Sequence, residues 1–112
     1  MTARPVWKVK MKKLTAFIKP FKLEAVISSL PREGVLEVTV CEVRGYGRQK
    51  GHLELYREHE YELTFLPKAR LEIYCQDEAA AAVQEALLSG ARTGRIGDGK
   101  VLIAPVAELH EF

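Results

Sequence analysis

The 112 residues, 47% of them hydrophobic, suit one domain with a modest core. Seventeen Lys and Arg against fifteen Asp and Glu leave a formal charge of +2, too small to argue for polyanion or nucleic-acid binding on charge alone. No apolar run reaches the ~18 residues of a membrane span, and the N-terminus has no signal-type apolar stretch, so the expected compartment is the cytoplasm.

Residues 1–10 carry Pro5 and Trp7 without clear period, and Met11-Lys12-Lys13 reads like an alternative start. The expected division is an extension over 1–10 and a single domain over 11–112. Leu14, Ala16 and Ile18 alternate with Thr15 and Phe17, which predicts a strand. Pro20 suits the first turn of a helix whose apolar face is Leu23, Val26, Ile27 and Leu30, ended by Pro31 and Gly34. Val35 to Val43 is β-branched and alternating, a second strand. Gly45-Tyr46-Gly47-Arg48-Gln49-Lys50-Gly51-His52 then opens a long charged and glycine-rich stretch, a length that marks function or disorder. Alternation resumes over Tyr61 to Phe65 and continues in Ala69, Leu71, Ile73 and Cys75, with Pro67 expected at a strand edge or bulge. Asp77 and Glu78 open an alanine-rich helix expected to run to Leu88, with Val83 and Leu87 as its large contacts and Gly90 as its stop. A short strand from Val101 to Ala104 follows. The order βαββαβ predicts an α+β, ferredoxin-like sandwich with both helices on one sheet face. The other face needs a cover, and oligomerisation is the simplest.

The chemistry concentrates in Thr93-Gly94-Arg95-Ile96-Gly97-Asp98-Gly99-Lys100, where three glycines, two cations and one carboxylate occupy eight residues. Glycines turn backbone N–H groups toward an anion without a Cβ in the way, and Arg and Lys neutralise phosphate. The segment nearly spells a phosphate-binding P-loop, but Val101 stands where that motif needs Ser or Thr, and helix–loop–strand reverses its order. A plain glycine-rich turn is the bland alternative. The Gly45 to Gly51 stretch mimics a dinucleotide fingerprint with its third glycine one place late. Cys41 and Cys75 are expected to be buried, inert thiols rather than a disulfide. His52, His59 and His110 lack zinc-site spacing. Ser28, Ser29 and Ser89 have no neighbouring His to activate them, so catalysis is not expected.

Taken together these pieces resemble the P-II family of nitrogen regulatory signal proteins. The resemblance runs through Met11-Lys12-Lys13-Leu14, Ile18-Lys19-Pro20-Phe21-Lys22-Leu23, Gly45 to His52, Glu54-Leu55-Tyr56-Arg57, Phe65-Leu66-Pro67-Lys68 and Thr93 to Lys100. It implies a homotrimer whose intersubunit clefts bind ATP or ADP, and a loop after the second strand that docks on targets. It assigns the Thr93–Lys100 segment to the nucleotide, Asp98 included, with Gly97, Gly99 and Lys100 on phosphates and Arg48 reaching the phosphate chain. Thr39 and Glu72 would lie near base and ribose. Gln49 would ligate Mg2+ together with ATP and 2-oxoglutarate, Lys68 would pair with a 2-oxoglutarate carboxylate, and Gly51 would add a backbone contact. Magnesium held partly by a neutral amide would admit the oxoacid only beside Mg-ATP, a reciprocal coupling between the two ligands. The implied targets are an ammonium transporter or nitrogen-assimilation enzymes, with membrane contact only through the transporter.

This sequence departs from the family pattern in three places. Tyr61 stands at the family's uridylylation position, but Glu58 and His59 replace Gly and a small residue, which argues against its modification. Glu37 replaces a usual glycine near the nucleotide. Of two C-terminal arginines that point at the phosphates in the family, the first position aligns with Glu111 and the second lies beyond Phe112. Fewer cations and an added carboxylate should weaken ATP more than ADP or AMP, because the γ-phosphate carries the extra charge. The alternative is a divergent member that reads adenine nucleotides with another small metabolite, such as bicarbonate. Two rivals from other classes are a phosphotransferase on the same fold, which lacks a phosphorylatable His near the glycine loop, and a structural trimer of the metal-tolerance type, which leaves Gly94 to Lys100 without a role.

Overall fold

A computed structural model describes residues 6–7, 10–45, 66–95 and 97–112. In chain order the elements are β1 (Val6–Trp7), β2 (Met11–Ile18), a 3-10 turn (Pro20–Lys22) running into α1 (Leu23–Ser29), β3 (Val35–Gly45), β4 (Leu66–Gln76), α2 (Asp77–Ala91), β5 (Gly99–Val106) and β6 (Leu109–His110). The four long strands form one antiparallel sheet in the order β3-β4-β2-β5. This is the ferredoxin-like βαββαβ arrangement that the element order predicts.

Alternation decides the faces. Leu14, Ala16 and Ile18 of β2 and Ala69, Leu71, Ile73 and Cys75 of β4 turn to one side, where they are buried under Val26 of α1 and Val83, Leu87 and Ala91 of α2. The intervening residues face away from the helices. On that open face the register aligns rows across the sheet: Cys41, Arg70, Phe17 and Lys100, then Thr39, Glu72, Thr15 and Leu102, then Glu37, Tyr74, Lys13 and Ala104. Cys75 lies on the helix side and Cys41 on the open side, so the sheet itself separates the two free thiols.

Three sequence readings change. Gly90 does not stop the second helix, which continues to Ala91. A Cβ on Gly90 would approach the Val26 Cα and Cγ2 to 3.0 Å, so this glycine lets α2 cross close over α1. The last strand is longer than Val101 to Ala104 because β2 pairs with it over its whole length, from Gly99 opposite Ile18 to Val106 opposite Met11. Residues 6–7, where no period is visible, pair with the C-terminal segment, Val6 with His110 and Trp7 with Leu109. Pro67 falls inside β4, beyond the Ile18–Ala69 pair where β2 ends, so its strand is locally an edge on that side and needs no N–H there. The strand predicted over Tyr61 to Phe65 lies outside the described residues.

Candidate functional site

The loop from α2 to β5 is organised by Asp98. Its carboxylate accepts from the Thr93 N–H (2.7 Å), the Thr93 hydroxyl, the Gly94 N–H (3.0 Å) and the Lys19 Nζ (3.1 Å). Those donors bond the charged form, so Asp98 titrates well below the ordinary carboxylate value of 3.8, Thr93 being the largest cause. The loop is thereby closed on an internal anion rather than on a sheet partner.

Beyond the carboxylate the chain needs glycine. Gly97 has φ +85°, in the left-handed region, and its carbonyl accepts from the Lys68 Nζ at 2.9 Å. Gly99 has φ +148°, and a Cβ there would sit 2.2 Å from the Phe17 carbonyl oxygen. This close approach brings the loop against the end of β2. Lys100 follows, its Nζ 5.5 Å from the Phe17 ring centroid, within cation–π reach. Burial lowers the Lys68 pKa first, and repulsion from Lys19 and Lys100 lowers it further, against the pull of Asp98. A group so placed gains from an added anion.

The structure thus brings Lys68, Thr93, Gly97, Asp98, Gly99 and Lys100 to one end of the sheet. Thr39 and Glu72 are directly opposed on β3 and β4, one row along the open face from Arg70 and Lys100. The Glu72 carboxylate lies 3.7 Å from Arg70 Nε and 3.9 Å from Lys13 Nζ, which leaves the buried Arg70 Nε without a hydrogen-bond partner. Arg48, Gln49, Gly51 and Tyr61 lie outside the described residues. Two contributors have no role in the sequence reading. Lys19 meets Asp98 across 79 positions, and Phe17 carries Lys100. Neither a spacing nor a period marks such pairs.

The open face becomes richer in carboxylates away from the glycine loop. Farther from the glycine loop, a cavity of ≈ 980 Å³ is lined by Glu37, Glu108 and Glu111 around Lys13, with Met11 and Tyr74 among its other walls. An elongated ligand with an anionic end would therefore lie with that end at the glycine loop. Among the described residues no cluster of three or more His, Cys, Asp or Glu is arranged to hold a metal.

A family model described as "Nitrogen regulatory protein P-II" matches residues 11–111. Curated proteins named Nitrogen regulatory protein P-II are similar over most of the chain. The one from Rhizobium meliloti (strain 1021) is 52% identical over 99 residues, covering 88% of each chain. That from Azospirillum brasilense is 50% identical with the same coverage, and P-II 1 of Escherichia coli (strain K12) is 48% identical. Among solved structures, the Arabidopsis thaliana PII crystal structure bound to citrate superposes with a TM-score of 0.65 at 32% identity, covering 88% of this chain and 79% of that one.

Proposed function

The chain belongs to the P-II nitrogen regulatory protein family, and from that membership we propose that it binds ATP or ADP at the Thr93–Lys100 loop and signals the bound state to nitrogen-metabolism targets. Members of this family are regulatory signal transducers, not enzymes. The observation that carries the ligand reading is the Asp98-closed loop, with Gly97, Gly99 and Lys100 beside Lys68 at the cationic end of the open face. Phosphates at that end would meet backbone and ammonium groups, while Thr39 and Glu72 would stand nearer the base and ribose.

The finer scheme is a homotrimer in the cytoplasm, each nucleotide enclosed between two copies. Gln49 would hold Mg2+ jointly with ATP and 2-oxoglutarate, Arg48 would reach the phosphates, and Lys68 and Gly51 would hold the oxoacid. Output would pass through residues 46–65 to an ammonium transporter or nitrogen-assimilation enzymes. The Arabidopsis thaliana PII crystal structure is of a citrate complex, which supports a carboxylate as a ligand class. No described helix is long and apolar enough to cross a membrane, in keeping with contact only through a transporter.

Glu111, at the position where the resemblance places a phosphate-facing arginine, favours a second reading, in which the polyphosphate chain is held weakly and another small metabolite such as bicarbonate is the second ligand. Isothermal titration of the full chain separates the two. The first reading expects 2-oxoglutarate to bind saturably only with Mg-ATP, and Gln49→Ala and Lys68→Ala to abolish that binding. Absence of oxoacid binding with nucleotide binding intact selects the second. In both, ATP is expected to bind no more than severalfold tighter than ADP.

A further inference from the structure

A second charged surface lies behind the glycine loop. A cleft of ≈ 720 Å³ is lined by Lys19, Phe21 and Lys22 from the 3-10 turn and by Arg92, Thr93 and Arg95 from the end of α2 and its loop. Lys19 is occupied by Asp98 at 3.1 Å. Lys22, Arg92 and Arg95 make no ion pair among the described residues. Phe21 stands at the rim, 72% exposed, on a turn closed by the Lys22 N–H to Lys19 carbonyl bond at 2.9 Å.

We propose that this cleft docks an acidic polypeptide segment of a target protein through Lys22, Arg92 and Arg95, with an apolar side chain of that segment seated on Phe21. Charge complementarity carries the argument: cations on two separate segments face one concavity, and no carboxylate is among its described lining residues. An exposed aromatic beside arginines is the composition of a protein-binding anchor. Among the described lining residues Phe21 is the one apolar side chain, unlike a site for a drug-sized small molecule. A free phosphate could take the cations but would leave Phe21 in water. The chain's +2 balance supplies no extended field for nucleic acid. Thr93 belongs both to this cleft and to the Asp98 bonds that close the glycine loop, so the two surfaces adjoin. The inference does not depend on which ligand that loop holds.

The test is fluorescence anisotropy of the full chain with a fluorescein-labelled octapeptide of six glutamates around a central Leu-Phe pair. Its comparison peptide replaces the glutamates with glutamines. The acidic peptide is expected to bind, more weakly as salt rises. Affinity should fall roughly tenfold or more in the Arg92→Glu/Arg95→Glu double variant and about three- to tenfold in Phe21→Ala. Arg32→Glu, an exposed reversal on the turn after α1, should leave it unchanged. Circular dichroism melts identify any variant that fails to fold, and Phe21→Ala, which removes no charge, then carries the test. Equal binding of the glutamine peptide, or indifference to both cleft variants, overturns the proposal. Complete displacement by inorganic tripolyphosphate with no effect of Phe21→Ala assigns the cleft to a free anion. Binding to phosphatidylglycerol vesicles without peptide binding assigns it to a membrane. Either of those results also overturns it.

Discussion

Asp98 and Gly99 are adjacent and act in opposite ways, one by what it holds and the other by what it lacks. Asp98 draws the Thr93 and Gly94 N–H groups, the Thr93 hydroxyl and the Lys19 ammonium onto one carboxylate. Its folded-state pKa lies below its unfolded value of about 3.8, so the stabilisation is complete above that value and is lost as pH falls through the depressed one. Acid titration of stability should show this. The wild type is expected to lose stability progressively as pH falls below about 4, and Asp98→Asn, less stable at neutral pH, should lack part of that slope. Parallel acid limbs for the two proteins would remove Asp98 from the loop's support. Gly99 admits no side chain, because its φ of +148° disfavours one and the Phe17 carbonyl oxygen would sit 2.2 Å from the Cβ. Gly99→Ala is therefore expected to cost about 2–3 kcal/mol in urea unfolding. It should weaken nucleotide binding more than Gly94→Ala, where the φ of +83° also disfavours a side chain but nothing lies within 4 Å of the Cβ position.

The helix pair shows where local patterns stop being sufficient. Read along the chain, Gly90 looks like a C-terminal stop. In the fold it is a contact residue, with Val26 backbone and side chain 3.0 Å from where its Cβ would be. Alanine favours a helix interior over glycine by about 1 kcal/mol. Gly90→Ala should nevertheless lower the melting temperature, because the methyl must push α1 from a buried position that Val26 holds at 0% exposure. A raised melting temperature would mean that propensity outweighs the packing. The strands were legible because alternation is intrinsic to a half-buried strand: Leu14, Ala16 and Ile18, and Leu71, Ile73 and Cys75, mark the core face without any partner in view. Thr93 to Lys100 was legible as an anion cradle from its glycines and cations. The bonds that shape it were not, since Lys19 to Asp98 and Lys68 to Gly97 join segments far apart in sequence. The pairing of β1 with β6 was equally hidden, because two-residue strands carry no period.

At the scale of the whole molecule, the two sheet faces have unequal covers. The helices bury one, while the other keeps Leu102 at 54% exposure in the row of Thr39, Glu72 and Thr15, and Leu36 at 55% beside Glu37. A stable assembly buries about 800 Å² per partner with an apolar centre, and the open face carries both exposed apolar side chains and charges. If copies of the chain enclose the nucleotide between them, assembly and binding must fail together. Light scattering is expected to give three times the 12.6 kDa protomer mass for the wild type. Leu102→Lys puts a charge on the β5 edge of that face, in the row of Thr39 and Glu72 and one row from Lys100, where an added cation would not by itself weaken a phosphate ligand. It is expected to yield monomer, with α1 and α2 still folded on the other face and the circular dichroism spectrum retained. Nucleotide affinity should fall at least about tenfold in the same variant, since half of each pocket would be gone. A Leu102→Lys monomer that binds ATP as well as the wild type would place the whole site within one chain. The open face would then be an interface of some other kind.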